Sequence, residues 1–166
     1  MNDIVESVMR SGFGQPASVA YLVGKPAPGE HLPLERTLVV AGKGFEGDHD
    51  RTAWWKGELI PGREVTAMAI EVLRAMRVAP DVPGDNLITR GVDLGALNAG
   101  DRLMIGDVVL VRSEKPHRPC ALFRQRAGHE AFEAAAAGLR GALFSVERSG
   151  EIAVGDPIEV VAEVSA

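Results

Sequence analysis

Residues 102–120 read RLMIGDVVLVRSEKPHRPC. Two mainly apolar runs, 102–105 and 108–112, flank Gly106-Asp107, and this pair has the composition of a two-residue hairpin turn. The stretch therefore predicts a β-hairpin whose second strand leads into a proline-bounded segment that ends at Cys120. Pro119 suits the first turn of a helix, so we expect a helix to follow, in pieces, to about residue 137 through Gly128.

The rest of the chain alternates short strands with turn residues. Thr66 has the character of a helix N-cap, and the apolar spacing after it predicts a helix over 67–77. Ser149-Gly150 suggests a second hairpin between 142–148 and 151–154. Further strands are expected at 17–23, 37–41, 86–89 and 158–164. The pattern predicts an α+β protein built around a β-barrel with two or three packed helices, with residues 1–16 as an irregular lead-in and 17–166 as one domain.

Composition limits the classes of function. The chain has 166 residues, 46% of them hydrophobic and 25% charged, which is ordinary for one globular domain. Its net charge of −5 argues against broad nucleic-acid binding. The first residues lack the basic start of a secretory signal, and no uncharged apolar run is long enough to span a bilayer. We therefore expect a cytoplasmic protein that binds no membrane.

Cys120 is the only cysteine, so it acts as a single sulfur: a nucleophile, a persulfide carrier or a metal ligand. The residues around it are cationic, and positive charge favours the reactive thiolate. The alternative is a buried, inert cysteine that packs as a small hydrophobe. From 112 to 126 one anion, Glu114, faces five cations: Arg112, Lys115, Arg118, Arg124 and Arg126.

Two histidine-containing segments are candidate sites. His117 could serve as the proton partner of Cys120, although no acidic residue that would orient it can be identified from the sequence. A structural zinc site is not expected, because no second cysteine exists. Residues 48–51, DHDR, hold metal-ligand types, but a polar loop whose carboxylates accept backbone hydrogen bonds is the favoured interpretation.

Residues 85–94, DNLITRGVDL, concentrate polar groups around one short strand. Arg90 could clamp a phosphate or carboxylate in a bidentate way. Asn86 could fix an amide-bearing ring, because its side chain donates and accepts at once. A turn network that ties two strands together explains the same residues equally well.

Taken in order, these pieces resemble the MOSC domain, a module found at the C-terminus of molybdenum cofactor sulfurases and in stand-alone bacterial proteins. The resemblance extends from about Val19 to Val161. It rests on Gly47-Asp48, residues 63–66 (REVT), Asn86-Leu87 with 89–94 (TRGVDL), Leu97, Gly100-Asp101, Ile105-Gly106, residues 118–120 (RPC), 150–152 (GEI) and Gly155-Asp156.

The resemblance implies a barrel-centred fold in which Cys120 carries a persulfide or coordinates molybdenum in a pterin cofactor. It implies that Asn86, Arg90 and Asp93 line or support the same pocket. The basic cluster, with Arg118 and Arg124, suits the pterin phosphate. Asp85 stands where relatives often have Glu, one methylene longer.

Three functions follow as alternatives. The first is a molybdenum-dependent oxidoreductase that reduces N-hydroxylated compounds with electrons from a partner protein. The second is a sulfur carrier loaded by a cysteine desulfurase, and the third is a binding module with a structural cysteine. Bound pyridoxal phosphate is not expected, since none of the four lysines lies in a Schiff-base context. Trp54-Trp55 could form a partner surface or a lid, or be buried.

Overall fold

The computed structural model describes residues 2–14, 16–49 and 62–163, and the backbone of the two short strands Thr52–Ala53 and Glu58–Leu59. The described helices are α1 (Asp3–Ser11), α2 (Ile70–Met76), α3 (Ala121–Ala127) and α4 (His129–Ala134). A 3₁₀ helix, Leu94–Ala96, and a π-helical turn, Ala135–Leu139, complete the helical set.

The described strands form one large sheet and two small ones. They are β1 (Ser18–Gly24), β2 (Leu32–Leu34), β3 (Arg36–Val40), β4 (Gly44–Phe45), β5 (Thr52–Ala53), β6 (Glu58–Leu59), β7 (Val65–Ala69), β8 (Leu87–Arg90), β9 (Arg102–Ile105), β10 (Val108–Arg112), β11 (Ala142–Arg148), β12 (Gly150–Ala153) and β13 (Glu159–Val161).

The eight-stranded sheet has the order β13-β9-β10-β11-β7-β8-β1-β2 and curls into a half-barrel. Its pairs are antiparallel except β7 and β8, which run parallel. The segment before β13 also reaches β1, since Val19 N–H donates to Asp156 O at 2.9 Å and Ile158 N–H to Ala17 O at 3.0 Å. These bonds draw the two sides of the curl together. The prediction of an α+β fold with a barrel-like core is confirmed.

The hairpin predicted from residues 102–112 is present, with Val108 opposite Ile105 and Val109 opposite Met104. The second predicted hairpin is wrong. Strand β11 pairs with β10 on one side and with β7 on the other, so neither of its edges is free for β12. Strand β12 pairs with β3 instead, in a separate three-stranded sheet with β4.

The helix predicted over 67–77 begins later than expected. Residues 65–69 are strand β7, all five of them buried, and α2 starts only at Ile70 with Ala69 as N-cap. A strand between two neighbours is apolar on both faces, so its sequence can mimic helical spacing. Thr66 does not cap the helix, because its N–H and hydroxyl face Asn86.

The N-terminal segment is not an irregular lead-in, since residues 3–11 form α1. Asn2 caps this helix by accepting a hydrogen bond from Ile4 N–H at 2.8 Å. Ile4 and Val8 lie one turn apart and are buried in the same hydrophobic core as the strands. Among the described helices there is none with the length and apolar character needed to cross a bilayer.

Candidate functional site

A cleft of about 480 Å³ opens between the segment that leads into α3 and the helical layer that follows it. Pro116 and Pro119 hold the leading segment in extended conformations, because each proline disfavours the helical region for the residue before it. The opposite wall comes from α4 and the π-helical turn. The lining residues are Pro116, His117, Arg118, Pro119, Phe132, Ala135, Ala136 and Gly138.

A buried carboxylate lies behind this cleft. Asp85 Oδ1 accepts a hydrogen bond from His117 Nε2 at 2.8 Å, and Asp85 Oδ2 accepts one from Arg140 Nη1 at 2.5 Å. The Asp85 side chain is 1% exposed and that of Arg140 is 8% exposed. Burial alone would raise the pKa of Asp85, but the positive charge of Arg140 and the hydrogen bonds from both partners hold it well below its usual range. Asp85 is therefore a carboxylate at neutral pH.

His117 is held by this carboxylate in one orientation. Burial lowers the pKa of His117, the nearby charges of Arg140 and Arg63 lower it further, and Asp85 only partly opposes them. The ring is therefore neutral at pH 7. Because Asp85 is ionised, Nε2 must carry the proton that it donates, which leaves Nδ1 as an acceptor.

Arg140 is buried with only part of its guanidinium satisfied. Its carbon Cζ lies 4.7 Å from the centre of the Phe123 ring, and Nη1 also approaches Met68 Sδ at 3.7 Å. Its Nε is buried without a hydrogen-bond partner among the described residues. The adjacent Gly141 has φ +107, and a Cβ there would lie 2.0 Å from Ala67 O. Only glycine fits at position 141, and its close packing against Ala67 fixes the position of the backbone at Arg140.

Cys120 is exposed and follows the last lining residue of the cleft wall, Pro119. It is the N-cap residue of α3, where its carbonyl accepts a hydrogen bond from Arg124 N–H at 3.1 Å. In the described part of the chain no hydrogen bond joins His117 to Cys120. The inert, buried cysteine weighed from the sequence is thus not what the structure contains.

Two of the predicted phosphate partners lie at the cleft. Arg118 is exposed and lines it. Arg124 is exposed and lies over the ring of Phe132, another lining residue, with Cζ 5.6 Å from the ring centre. Neither arginine has an ion-pair partner within the described residues, so both charges are available to an anion.

Asn86 lies in a buried network instead of the cleft. Its side-chain nitrogen donates to Asp48 Oδ2 at 2.7 Å and to Val23 O at 3.2 Å. Its side-chain oxygen accepts from Thr66 N–H at 3.3 Å and from the Thr66 hydroxyl at 3.5 Å. This arrangement ties β1, β7 and the start of β8 together. A direct contact between Asn86 and a cofactor stays a prediction.

Arg90 and Asp93 lie apart from the lining residues of the cleft. Arg90 is half-buried at the end of β8, opposite Ser18. Asp93 is exposed before the 3₁₀ helix and borders a separate cavity of about 10 Å³, the size of one water molecule. That small cavity and the cleft share Gly138, and contacts of Arg90 and Asp93 with a cofactor stay predictions.

In the loop at 48–51 the structure describes Asp48 and His49, and the carboxylate of Asp48 accepts a backbone hydrogen bond. Asp48 Oδ1 accepts a hydrogen bond from the backbone N–H of Lys25 at 2.7 Å, which ties this loop to a segment 23 residues earlier in the chain. Within the described residues no group of three or more His, Cys, Asp or Glu side chains could hold a metal ion. Asp50, Arg51, Trp54 and Trp55 lie outside the residues that the structure describes.

Sequence reasoning missed Arg140, Arg63 and Phe132. Arg140 lies 55 residues from Asp85 along the chain, in a segment with no motif, and only the fold brings the two side chains together. Asp85 itself is the acidic partner of His117 that the sequence did not identify. The signal for it was weak: one carboxylate before a short strand.

The family comparison matches the MOSC domain over residues 49–159, which is most of the chain. With the curled sheet and the cleft beside residues 118–120, this places the chain in the MOSC domain family, and the resemblance read from the sequence is confirmed.

Solved structures show the same fold. The YuaD protein of Bacillus subtilis is similar with a TM-score of 0.69 at 20% identity, covering 92% of this chain and 100% of its own. YiiM of Escherichia coli gives 0.59 at 23% identity, covering 91% and 73%, and YiiM of Geobacillus stearothermophilus gives 0.61 at 17%, covering 88% and 75%. At these identities the likeness concerns the fold alone. No curated protein sequence gives a significant match.

Proposed function

We propose that this chain binds the molybdenum cofactor at the cleft, with Cys120 as the ligand of the metal and Arg118 and Arg124 as partners of the pterin phosphate. One observation carries the proposal: an exposed thiol directly follows a cleft wall whose arginine has no ion-pair partner in the described chain. The family supports it, because MOSC domains are associated with this cofactor.

The donor set fits such a group. A thiolate is a soft ligand suited to a metal–sulfur centre. The pterin phosphate is an anion, and guanidinium groups bind phosphate through paired N–H donors. The buried side of the site is also cationic, since Arg140 has an unpartnered Nε and Arg63 acts electrostatically on His117. One carboxylate, Asp85, is already engaged by His117 and Arg140 and leaves the cleft wall free of competing negative charge.

When bound, the cofactor would supply two-electron redox chemistry, which the reduction of an N-hydroxylated compound by a partner's electrons requires. The chain's own residues would bind the cofactor, neutralise its phosphate and move a proton. His117 presents a neutral ring on the cleft wall, with Nε2–H fixed on Asp85 and Nδ1 able to accept a proton. Arg118 would neutralise an anion at the opening, and Phe132 with the prolines would limit the entry of water.

The test is metal and pterin content after expression in a host that makes the cofactor, with purification in the absence of air. Wild-type protein should carry molybdenum and pterin near one per chain. Cys120→Ser should lose the metal, and Arg118→Ala should lose most of the pterin through loss of the phosphate contact.

Two exposed residues supply matched controls for these variants. Gln125→Ala, on the same helix as Cys120, and Arg148→Ala, on β11, should keep the wild-type content. Metal-free and pterin-free wild-type protein would refute the proposal. So would metal retained in full by Cys120→Ser.

A second function is supported by the exposure of Cys120. The Cys120 thiolate would attack the outer sulfur of the persulfide on a cysteine desulfurase, which forms a new S–S bond on Cys120, breaks the S–S bond of the donor and releases the desulfurase cysteine as a thiol, with no net oxidation. Cys120 would pass this sulfur to an acceptor thiolate by the same exchange. Mass spectrometry after incubation with a desulfurase and cysteine should then show one added sulfur on Cys120. A single unmodified species, with the desulfurase active towards its usual acceptor, would remove this option.

A further inference from the structure

The segment on both sides of the thiol carries a basic surface at the edge of the cleft. It consists of the four cations from 115 to 126, namely Lys115, Arg118, Arg124 and Arg126, together with the apolar side chain of Leu122. Four of the 18 basic residues lie in these twelve positions and none of the 23 acidic ones, which leaves the rest of the chain with 14 cations against 23 anions. The protein is therefore acidic overall with one basic surface.

The charges of this surface are not neutralised by ion pairs among the described residues. In the part of the chain that the structure describes, none of the four cations forms an ion pair. Lys115, Arg118 and Arg124 are exposed, and Arg126 is half-buried. By contrast, two arginines elsewhere are paired: the half-buried Arg102 with Glu147 at 2.9 Å and the exposed Arg36 with Glu151 at 3.2 Å.

An exposed apolar residue lies beside one of these cations, Arg126. Leu122 is 48% exposed although it sits on a short helix whose next residue, Phe123, is buried in the core. Leu122 and Arg126 are one helical turn apart and so lie on the same side of α3. An exposed apolar side chain with a charged rim is the composition of a protein–protein contact rather than of ordinary solvated surface.

We propose that the basic surface is the docking site of an acidic partner protein, which reaches Cys120 there. Opposite charge steers the encounter, and the apolar side chain supplies contact area once the proteins meet. An extended polyanion fits less well, because the acidic remainder of the chain would repel its flanks. The role of this partner, as a donor of electrons or of sulfur, rests on the proposed function. The docking itself requires no bound cofactor.

The test measures binding of purified full-length chain to two small acidic redox proteins, a [2Fe–2S] ferredoxin and a flavodoxin, by biolayer interferometry over a range of salt. Cytochrome c, which is basic, is the probe of opposite charge. Phosphatidylserine vesicles and single-stranded DNA are the other anionic probes. The variant pair is Lys115→Glu with Arg126→Glu. The control pair is Arg36→Glu with Arg148→Glu, which makes the same charge change on β3 and β11.

We expect at least one acidic protein to bind, more weakly as salt rises, while cytochrome c does not. Lys115→Glu/Arg126→Glu should weaken this binding about tenfold, and Leu122→Ala should weaken it with the salt dependence unchanged. The control pair should stay within about twofold. Circular dichroism must show that every variant is folded.

Three results would overturn the docking proposal: no binding of either acidic protein at low salt, equal loss in the control pair, or tighter binding of vesicles or DNA than of the proteins. Because binding is also measured on Cys120→Ser, which keeps the basic surface, these results are separate from those on cofactor content. Docking can fail while molybdenum is bound, and the cofactor can be absent while docking holds.

Discussion

Two neighbouring residues, Asp85 and Asn86, enter two different buried networks. Asp85 turns toward the cleft, where it holds His117 and Arg140. Asn86 turns the other way and bonds Asp48, Val23 and Thr66. Successive side chains of an extended chain point to opposite sides, so one dipeptide supplies a group to each network.

The networks differ in the charges that they bury. The Asn86 network satisfies its central amide with neutral partners and one carboxylate, and it links three parts of the large sheet. The Asp85 network buries a full ion pair and leaves Arg140 Nε without a partner among the described residues. A buried ion pair is costly to form and is weak evidence for stability, whereas breaking it is strongly destabilising. The arrangement therefore favours a role in the site over a role in the fold.

The largest effect should come from breaking the ion pair. Asp85→Ala leaves the guanidinium of Arg140 buried and uncompensated, and should lower the free energy of unfolding by about 3–5 kcal/mol. Urea denaturation followed by circular dichroism measures it. Asp85→Leu with Arg140→Met removes both charges and should recover most of the loss.

The control for this prediction is Asp107→Ala. That side chain is 91% exposed and lies 3.9 Å from Arg148, so its removal should change stability by less than about 0.5 kcal/mol. A loss of under about 1 kcal/mol in Asp85→Ala would contradict a buried, charged pair.

The second effect tests whether Asn86 serves the fold or the proposed cofactor site. Asn86→Ala removes the four side-chain hydrogen bonds described above and should cost about 2–3 kcal/mol, because buried polar groups lose a partner. The cofactor content of the protein that remains folded should be unchanged. Asn98→Ala, an exposed amide, is the matched control. If folded Asn86→Ala protein instead lost the cofactor at unchanged stability, Asn86 would serve the cofactor and not the fold. The contact between Asn86 and a cofactor predicted from the sequence would then be supported.

The hairpin at 102–112 could be predicted from sequence because its signal is local. Two apolar runs and a Gly-Asp turn decide it without help from distant residues. The strand at 65–69 could not be predicted, because its five buried residues owe their burial to β8 and β11, which lie elsewhere in the chain. The same reason explains the error at β12, whose local turn signal is overridden by the occupied edges of β11.

The candidate site also has one part that could be predicted from the sequence and one part that could not. Cys120 and its cations are adjacent in sequence, so their association was readable before the structure. The triad of Asp85, His117 and Arg140 is assembled from three segments whose partners lie up to 55 positions apart, and no spacing rule connects them. Polar composition alone placed Asn86 and Asp85 together, and only backbone direction separates their roles.

The smallest effect is the pH dependence of the free energy of unfolding, which His117 gives to the Asp85 network, whereas the four side-chain hydrogen bonds of Asn86 described above involve no histidine. Because burial lowers the pKa of His117, the folded protein holds this ring neutral at pH values where the unfolded chain, with an ordinary pKa of about 6.5, is already protonated. The unfolded state then binds more protons, so the free energy of unfolding falls as pH drops below about 6.5, by at most about 1.4 kcal/mol per pH unit for this one group. The low pKa of Asp85 acts with the same sign but only below about pH 4, where the unfolded carboxyl takes up a proton and the folded one does not.

Urea titrations between pH 7.5 and 5 should show the loss of stability in wild-type protein and a flatter profile in His117→Gln. The control is His129→Gln, which removes an exposed histidine paired with Glu133 and should keep the wild-type slope. Identical slopes in wild-type protein and His117→Gln would mean that the pKa of His117 is the same in the folded and unfolded states, which contradicts a ring held neutral by burial.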